Sequence, residues 1–365
     1  MATGARRDFC TYFDHRYLPY GLALHRSLRK HCPDFRLFVL CLDEACEDLL
    51  RRLALPGVVT VGMKELERAD PELAASRSTR SLVEYYFTCT ASLCAHLLAQ
   101  HSDIETVTYL DSDLGFFANP QPVFDELGQD SVLIIEHRPP PRLQWLNAHG
   151  RFNVGWVSFR RTADGLRCLQ DWRTQCIAWC YDKVDGLKFG DQGYLTEWPT
   201  RFTGIRIAQP IGFNVAPWNV EQYRIHGSPL APRVDGEPLI FYHFHGLKRI
   251  APHVYDAGLR KFDLPLSRAL RETIYVPYVQ MLMDGVAAVA SVMSERERAL
   301  LSFSPKLTRS SEATPVGRSL EVLRGKARLA RGIGRGDYLV EWRGNILSTG
   351  MVMDLVRGAG NGRPR

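Results

Sequence analysis

The chain has 365 residues, 45% hydrophobic and 24% charged, with a formal net charge of +6; this is globular composition at a length that buries a substantial core and leaves room for an appendage. The charge is uneven: residues 301–365 hold 12 Lys and Arg against 5 Asp and Glu, +7, which leaves −1 for the first 300 residues, so the body carries no basic footprint for nucleic acid. No run of eighteen apolar residues marks a membrane span, the opening MATGARRDFCTYF lacks a secretory core, and nine cysteines without C-x-x-C spacing argue against a disulfide framework or thiolate zinc site and for a reducing, cytoplasmic setting.

Asp8–Phe13 reads as a short apolar strand, and Leu18–His31 follows with the helical spacing of Leu22, Leu24 and Leu28. Phe35–Leu42 is a second strand; Asp43 is a candidate N-cap for a helix through Leu53, ended by Pro56-Gly57, and Val58–Val61 is a third strand. This β-α-β-α-β opening predicts a parallel, Rossmann-like sheet. No G-x-G-x-x-G follows the first strand, which counts against the usual dinucleotide site. The turn carries Tyr12, Asp14, Arg16 and Tyr17 instead.

Ser78–Gln100 reads as a helix broken near Thr88–Ala91, with Leu82, Tyr86, Leu93 and Leu97 on one side and Arg77 and Arg80 near its start. Ile104–Leu110 is a buried strand that runs into Asp111, Ser112 and Asp113. Residues i and i+2 of an extended chain share a side, so both carboxylates can converge at a strand's carboxyl end, where open α/β sheets bind ligands. Two hard oxygen ligands there suit Mg²⁺ or Mn²⁺ carrying a phosphate-bearing substrate. An acidic turn formed by Ser112 and Gly115 has the same sequence signature.

A short helix at Pro122–Leu127 and a strand at Ser131–Ile135 follow. Pro139–Pro141 and Trp145–Gly150 read as loops, either closing over a substrate or serving as rigid connectors. Phe152–Phe159 is a strand in which Gly155 marks a bulge or a close backbone approach. Thr162–Tyr181 is an amphipathic core helix, and Gly190–Trp198 begins a short one that Asp191 can cap. Phe213–Asn219 is turn-rich, carries Asn214, Trp218 and Asn219, and is expected to line an acceptor or donor pocket. Leu239–Phe244 is a strand whose His243 and His245 share a face, before Gly246 and Lys248. Leu270–Leu301 carries helical patterns. Residues 302–365 are basic and Gly-punctuated, and Arg324, Lys326, Arg328 and Arg331 can form a cationic face for an anionic membrane or a solvated appendage.

A strand ending in Asp-x-Asp, then Phe116-Phe117-Ala118-Asn119-Pro120, resembles the nucleotide-sugar site of GT-A fold glycosyltransferases, in particular the glycogenin and bacterial lipo-oligosaccharide galactosyltransferase group. Further motifs occur in that family's order across residues 8–250: Phe-Asn-x-Gly at Phe152, Asp-Gln-x-x-Leu at Asp191, and His-aromatic-x-Gly at His243. The resemblance implies a GT-A fold, an α/β architecture with a Rossmann-like mixed, mainly parallel sheet flanked by helices. It divides the chain into a transferase domain (1–265), a helical extension (266–301) and a basic tail (302–365). Asp111, Asp113 and His243 would be the metal ligands, for Mn²⁺ or Mg²⁺. Thr11, Tyr12, Tyr17, Arg80, Ser112, Asn219, Gly246 and Lys248 would meet a nucleotide-diphosphate sugar, with UDP implied. Asp191, Asn153 and Gln192 would handle the sugar and the acceptor hydroxyl of a glycan or cell-surface polysaccharide, with retention of configuration. The family's Lys stands six residues past the His, before Pro-Trp; here Lys248 stands five past His243, before Arg249 and Ile250. A nucleotidyltransferase would want a Gly-rich phosphate loop after the first strand, and none is present. A catalytically silent sugar- or partner-binding protein that kept the fold is the alternative of another class.

Overall fold

A computed structural model describes residues 6–251, 253–300, 338–342 and 345–347. Its strands are β1 (Arg7–Phe13), β2 (Phe35–Cys41), β3 (Val58–Gly62), β4 (Thr106–Leu110), β5 (Leu114–Phe116), β6 (Val132–Glu136), β7 (Phe152–Arg160) and β8 (Ile205–Ile207). Then come β9 (Ile225–Ser228), β10 (Ala231–Val234), β11 (Glu237–Pro238), β12 (Phe241–His243), β13 (Lys248–Ala251), β14 (Val254–Asp256), β15 (Tyr338–Trp342) and β16 (Asn345–Leu347). The main helices are α1 (Leu18–His31), α2 (Glu44–Leu53), α3 (Met63–Ala69), α4 (Pro71–Ser76), α5 (Leu82–Gln100), α6 (Gln121–Leu127), α7 (Ala163–Ala178) and α8 (Trp198–Arg201). The short α9 (Arg268–Leu270) continues through a π-turn at Arg271–Tyr275 into α10 (Val276–Val292).

The central sheet has the order β3-β2-β1-β4-β7-β6-β8. Its pairings β3–β2, β2–β1, β1–β4 and β6–β8 are parallel, whereas β4–β7 and β7–β6 are antiparallel. The expected mixed, mainly parallel sheet flanked by helices is therefore what the chain forms. β1 and β4 run side by side in the same direction, so Tyr12 and Asp111 emerge at one edge. α1, α2 and α5 supply the crossovers that parallel strands require.

Local chemistry sets the helix ends. Asp43 caps α2 by accepting the Cys46 N–H at 2.7 Å, and Ser81 with Glu84 closes a reciprocal capping box on α5. The expected break at Thr88–Ala91 does not occur. Thr88 satisfies its hydroxyl on the Glu84 carbonyl at 2.8 Å, and the apolar neighbours Cys89 and Ala91 are fully buried, so packing holds the helix continuous. Leu82, expected on the buried side, is half exposed at the first turn, and Tyr85 takes the core position. All nine cysteines are buried free thiols.

The helical run Arg268–Val292 holds no unbroken run of eighteen apolar residues, since Arg271, Glu272 and Asp284 interrupt it, yet by length and average composition it is long and apolar enough to cross a bilayer. Here Tyr278, Val279, Leu282 and Val289 are buried within the protein core. Gly285 lets α10 approach α1, since a Cβ there would stand 3.2 Å from the Pro19 carbonyl oxygen. Most of the basic tail, including Arg324, Lys326, Arg328 and Arg331, lies outside the described residues; β15 and β16 extend the antiparallel order β13-β14-β15-β16.

Candidate active site

Asp111 follows β4 directly, and its backbone N–H donates to the Gly155 carbonyl of β7 at 3.1 Å. The next residues turn rather than extend. The Leu114 N–H closes onto the Asp111 carbonyl at 3.2 Å, so Ser112 sits in a turn and β5 begins at Leu114. The period-two route to convergence is thus corrected, while convergence itself is met by another route. β5 pairs antiparallel with β12, in the register His243↔Leu114, which lays the imidazole beside the acidic turn. His243 Nε2 stands 3.0 Å from Asp113 Oδ1 and 3.6 Å from Asp111 Oδ2. His245 follows the end of the strand rather than continuing it, yet Asp113, His243 and His245 offer ligand atoms that all lie within 4.8 Å of one another.

His243 is also held from behind. Its Nδ1 lies 3.2 Å from Asn153 Oδ1, which also accepts the Gly155 N–H at 3.2 Å. An amide oxygen facing Nδ1 requires the proton on that nitrogen and leaves the Nε2 lone pair aimed at the two carboxylates. Asn153 donates in turn to Gln192 Oε1 at 3.2 Å, and Gln192 Nε2 to the His149 carbonyl at 2.9 Å. Gly155 is required here for space: a Cβ would stand 2.5 Å from Asn153 Oδ1 and 2.9 Å from the His243 ring. It also lies where the β6–β7 register shifts, between Ile134 and Ile135. Two carboxylates and an imidazole with a fixed second nitrogen form an O,O,N donor set that fits Mn²⁺ or Mg²⁺.

The same two carboxylates also favour a proton on the imidazole, which competes with a cation for Nε2. Burial opposes charge on His243, but Asp113 and Asp111 raise its pKa above the ordinary histidine value. Burial also works against Asp113, which the charge of His243 nevertheless holds low, whereas burial raises Asp111. His245 is lowered to about 4 by burial and by His243, and is neutral near pH 7. Asp191 is raised to about 7, chiefly by burial and further by the Asp111 charge.

A cavity of about 570 Å³ opens beside this cluster, lined by Tyr12, Asp111, Asn153, Asp191, Gln192 and His243 together with aromatic and basic groups. Thr11 and Tyr12 are neighbours in β1 and face opposite sides: Tyr12 reaches the cavity, its ring 5.6 Å from that of Tyr109, while Thr11 is buried. Tyr17 is 49% exposed, packed on Tyr20. Several expected residues sit elsewhere. Arg80 donates to the Tyr181 hydroxyl at 2.6 Å and the Ile177 carbonyl at 3.0 Å. Asn219 is fully buried and spends its side chain on the backbone of His137, Asn214 and Ala216. Lys248 is exposed on β13 and Gly246 makes a turn with φ +80°; neither lines the cavity, and the lysines that do are Lys183 and Lys261. Trp145 and His149, from the loop read as closing over a substrate or serving as a connector, and Trp218, from the turn-rich Phe213–Asn219, line the cavity, whereas His137 and Phe189 were unanticipated in the sequence. His137 precedes β7 in a segment with no motif.

No family model matches the chain. Among solved structures, the galactosyltransferase LgtC in complex with donor and acceptor sugar analogues is 18% identical, with a TM-score of 0.47, over 80% of this chain and 100% of that one. The Bacillus subtilis (strain 168) uncharacterized protein YfnD is 31% identical over 290 residues, 79% of this chain and 92% of that protein. YfnF of the same organism is 32% identical over 255 residues, 67% of this chain and 82% of that protein. The chain belongs to the family of YfnD and YfnF.

Proposed function

We propose that the protein is a metal-dependent glycosyltransferase that moves a sugar from a nucleotide-diphosphate donor, UDP-linked by the motif resemblance, to a hydroxyl acceptor. The observation that carries this is the meeting of Asp111, Asp113 and His243 beside the cavity. Asp111, Asp113 and His243, with His245 alongside, would hold a divalent ion, which when bound supplies positive charge against the donor phosphates. In the transfer, the acceptor oxygen bonds to the anomeric carbon as the bond from that carbon to the phosphate oxygen breaks. The electron pair leaves with the nucleoside diphosphate, which also takes up the hydroxyl proton.

The chain's own residues divide the work. Asn153 has its oxygen committed to His243 and Gly155, so it positions the imidazole. Asp191, buried at the cavity and half protonated near neutrality, suits a hydrogen bond to a sugar hydroxyl in either role. Tyr17, whose hydroxyl pKa is pushed up by burial and then by the Asp113 charge, would take the nucleobase, as the resemblance implies. Retention of configuration follows the resemblance to the glycogenin group.

Release of nucleoside diphosphate from a panel of nucleotide sugars, with and without Mn²⁺, tests the reading. Metal-dependent release that Asp113→Ala abolishes is expected. A silent binding protein would release none, and full activity in Asp113→Ala would refute the metal assignment.

A further inference from the structure

We infer that the acceptor hydroxyl belongs to a molecule with an apolar group, an alkyl, aryl or lipid aglycone, that rests at the cavity mouth on Trp145, Val184 and Leu187. This rests on the transferase reading above and names the class of acceptor. The cavity is polar where Asp111, Asn153 and Asp191 line it, and apolar where Trp145, Val184 and Phe189 do. Two segments build the apolar part. One is the 3₁₀ stretch Pro141–His149; the other is the loop after α7. They meet where the His149 ring stands edge-on to Phe189 at 4.5 Å, with Trp145 edge-on to His149 at 6.0 Å.

The loop ends in a tight turn that projects outward. Asp185 and Lys188 exchange backbone hydrogen bonds of 3.0 Å each way. Gly186 between them has φ +60°, and a Cβ built on it meets nothing within 4 Å. Leu187 on this turn is 61% exposed, Val184 at its base 46% and Trp145 opposite 53%. Leu82 and Val83, each 50% exposed, open α5 just beside this loop, where the Asp182 N–H donates to Glu84 at 3.0 Å. Three of the nine exposed large apolar side chains among the described residues, Trp145, Val184 and Leu187, therefore belong to the two segments that build this part of the cavity. Scattered exposed leucines need no explanation, but an apolar collar on a ligand cavity marks a binding surface. Because Trp145 and Val184 line the cavity as well as the collar, the occupant of the collar is continuous with the occupant of the polar floor. That describes one amphipathic molecule.

The test is calorimetric titration of the full chain with octyl β-D-glucoside, below its micelle concentration, and with methyl β-D-glucoside. The octyl compound should bind at least about tenfold more tightly, about 1.4 kcal/mol, which burial of roughly two methylenes supplies. The double variant Val184→Ser/Leu187→Ser should lose that preference. Leu230→Ser, at a 73% exposed position on the remote β9–β10 turn, should keep it. Equal binding of the two glucosides overturns the inference, as does a preference that survives the double variant. Phosphatidylcholine vesicles form a further arm: vesicle binding without discrimination between the glucosides replaces an acceptor subsite with bilayer docking. Absence of donor hydrolysis in the parent chain would sink the transferase reading alone, since the alkyl preference is read by binding.

Discussion

At the residue scale, the arrangement turns on which nitrogen of His243 holds its proton. Asn153 Oδ1 faces Nδ1 at 3.2 Å and so keeps Nε2 free for a cation; outer partners of this kind are worth about 10–100-fold in metal affinity. Asn153→Ala should weaken Mn²⁺ binding by that factor in a calorimetric or EPR titration, and Asn153→Asp, which keeps an acceptor oxygen, should restore much of it. Unchanged affinity in Asn153→Ala would leave Asn153 to the sugar instead. Asp191 sets a pH dependence of stability. Its pKa is about 7 in the fold and about 3.9 in the unfolded chain, so the native state binds the extra proton between those values. Stability from this group is then present below about pH 4 and lost as pH rises through 7, by roughly 4 kcal/mol at most. Asp191→Asn should flatten that decline in urea unfolding measured from pH 4 to 8. A decline of the same slope in Asp191→Asn would assign it to another group.

At the element scale, the site depends on a two-stranded pairing outside the main sheet. β5 and β12 are short, and their register brings Tyr242 opposite Gly115 and His243 opposite Leu114. Gly115 has no room for a side chain: its Cβ would lie 2.8 Å from Tyr278 and 2.9 Å from Phe244, whose rings stack at 3.5 Å. Gly115→Ala should therefore cost about 1–3 kcal/mol of stability by overpacking and also weaken Mn²⁺ binding, because the displaced strand carries His243. A loss of stability with metal affinity intact would uncouple the two. This pairing also explains what could be read in advance. The parallel half followed from alternating apolar runs and helix caps, each a local signal, and the meeting of Asp111, Asp113 and His243 was legible because motif residues announce themselves by type and order. The turn at Ser112 was not, since whether Asp-x-Asp extends or turns is decided by β12, which comes more than a hundred residues later. Arg80 shows the same limit: its guanidinium is drawn to Tyr181 and Ile177, partners that adjacency in sequence does not reveal. His137 and Phe189 reach the cavity through loops whose path only the packed structure defines.

For the whole molecule, the helix that follows the transferase motifs is part of the support for the site. Tyr275 and Tyr278 pack on Tyr242 and Phe244, which flank His243 in sequence, and α10 lies against α1, which follows the turn bearing Tyr17. A ligand that requires the acidic turn and β12 together therefore binds the folded state and not the unfolded chain. Its binding must then raise the unfolding free energy by RT ln(1 + [L]/Kd), about 2.7 kcal/mol at a hundredfold excess over Kd. For a chain of this size that is a rise in Tm of the order of 5 °C. Scanning calorimetry with saturating Mn²⁺ and UDP should show this rise for the parent chain and none for Asp113→Ala, whose fold loses no buried apolar contact. Tyr278→Ala should lower the starting Tm while keeping a rise on addition of both ligands, because it loosens the support without removing a metal ligand. A rise of equal size in the parent and in Asp113→Ala would mean that the ion sits elsewhere, and the transferase reading would lose the site on which it stands.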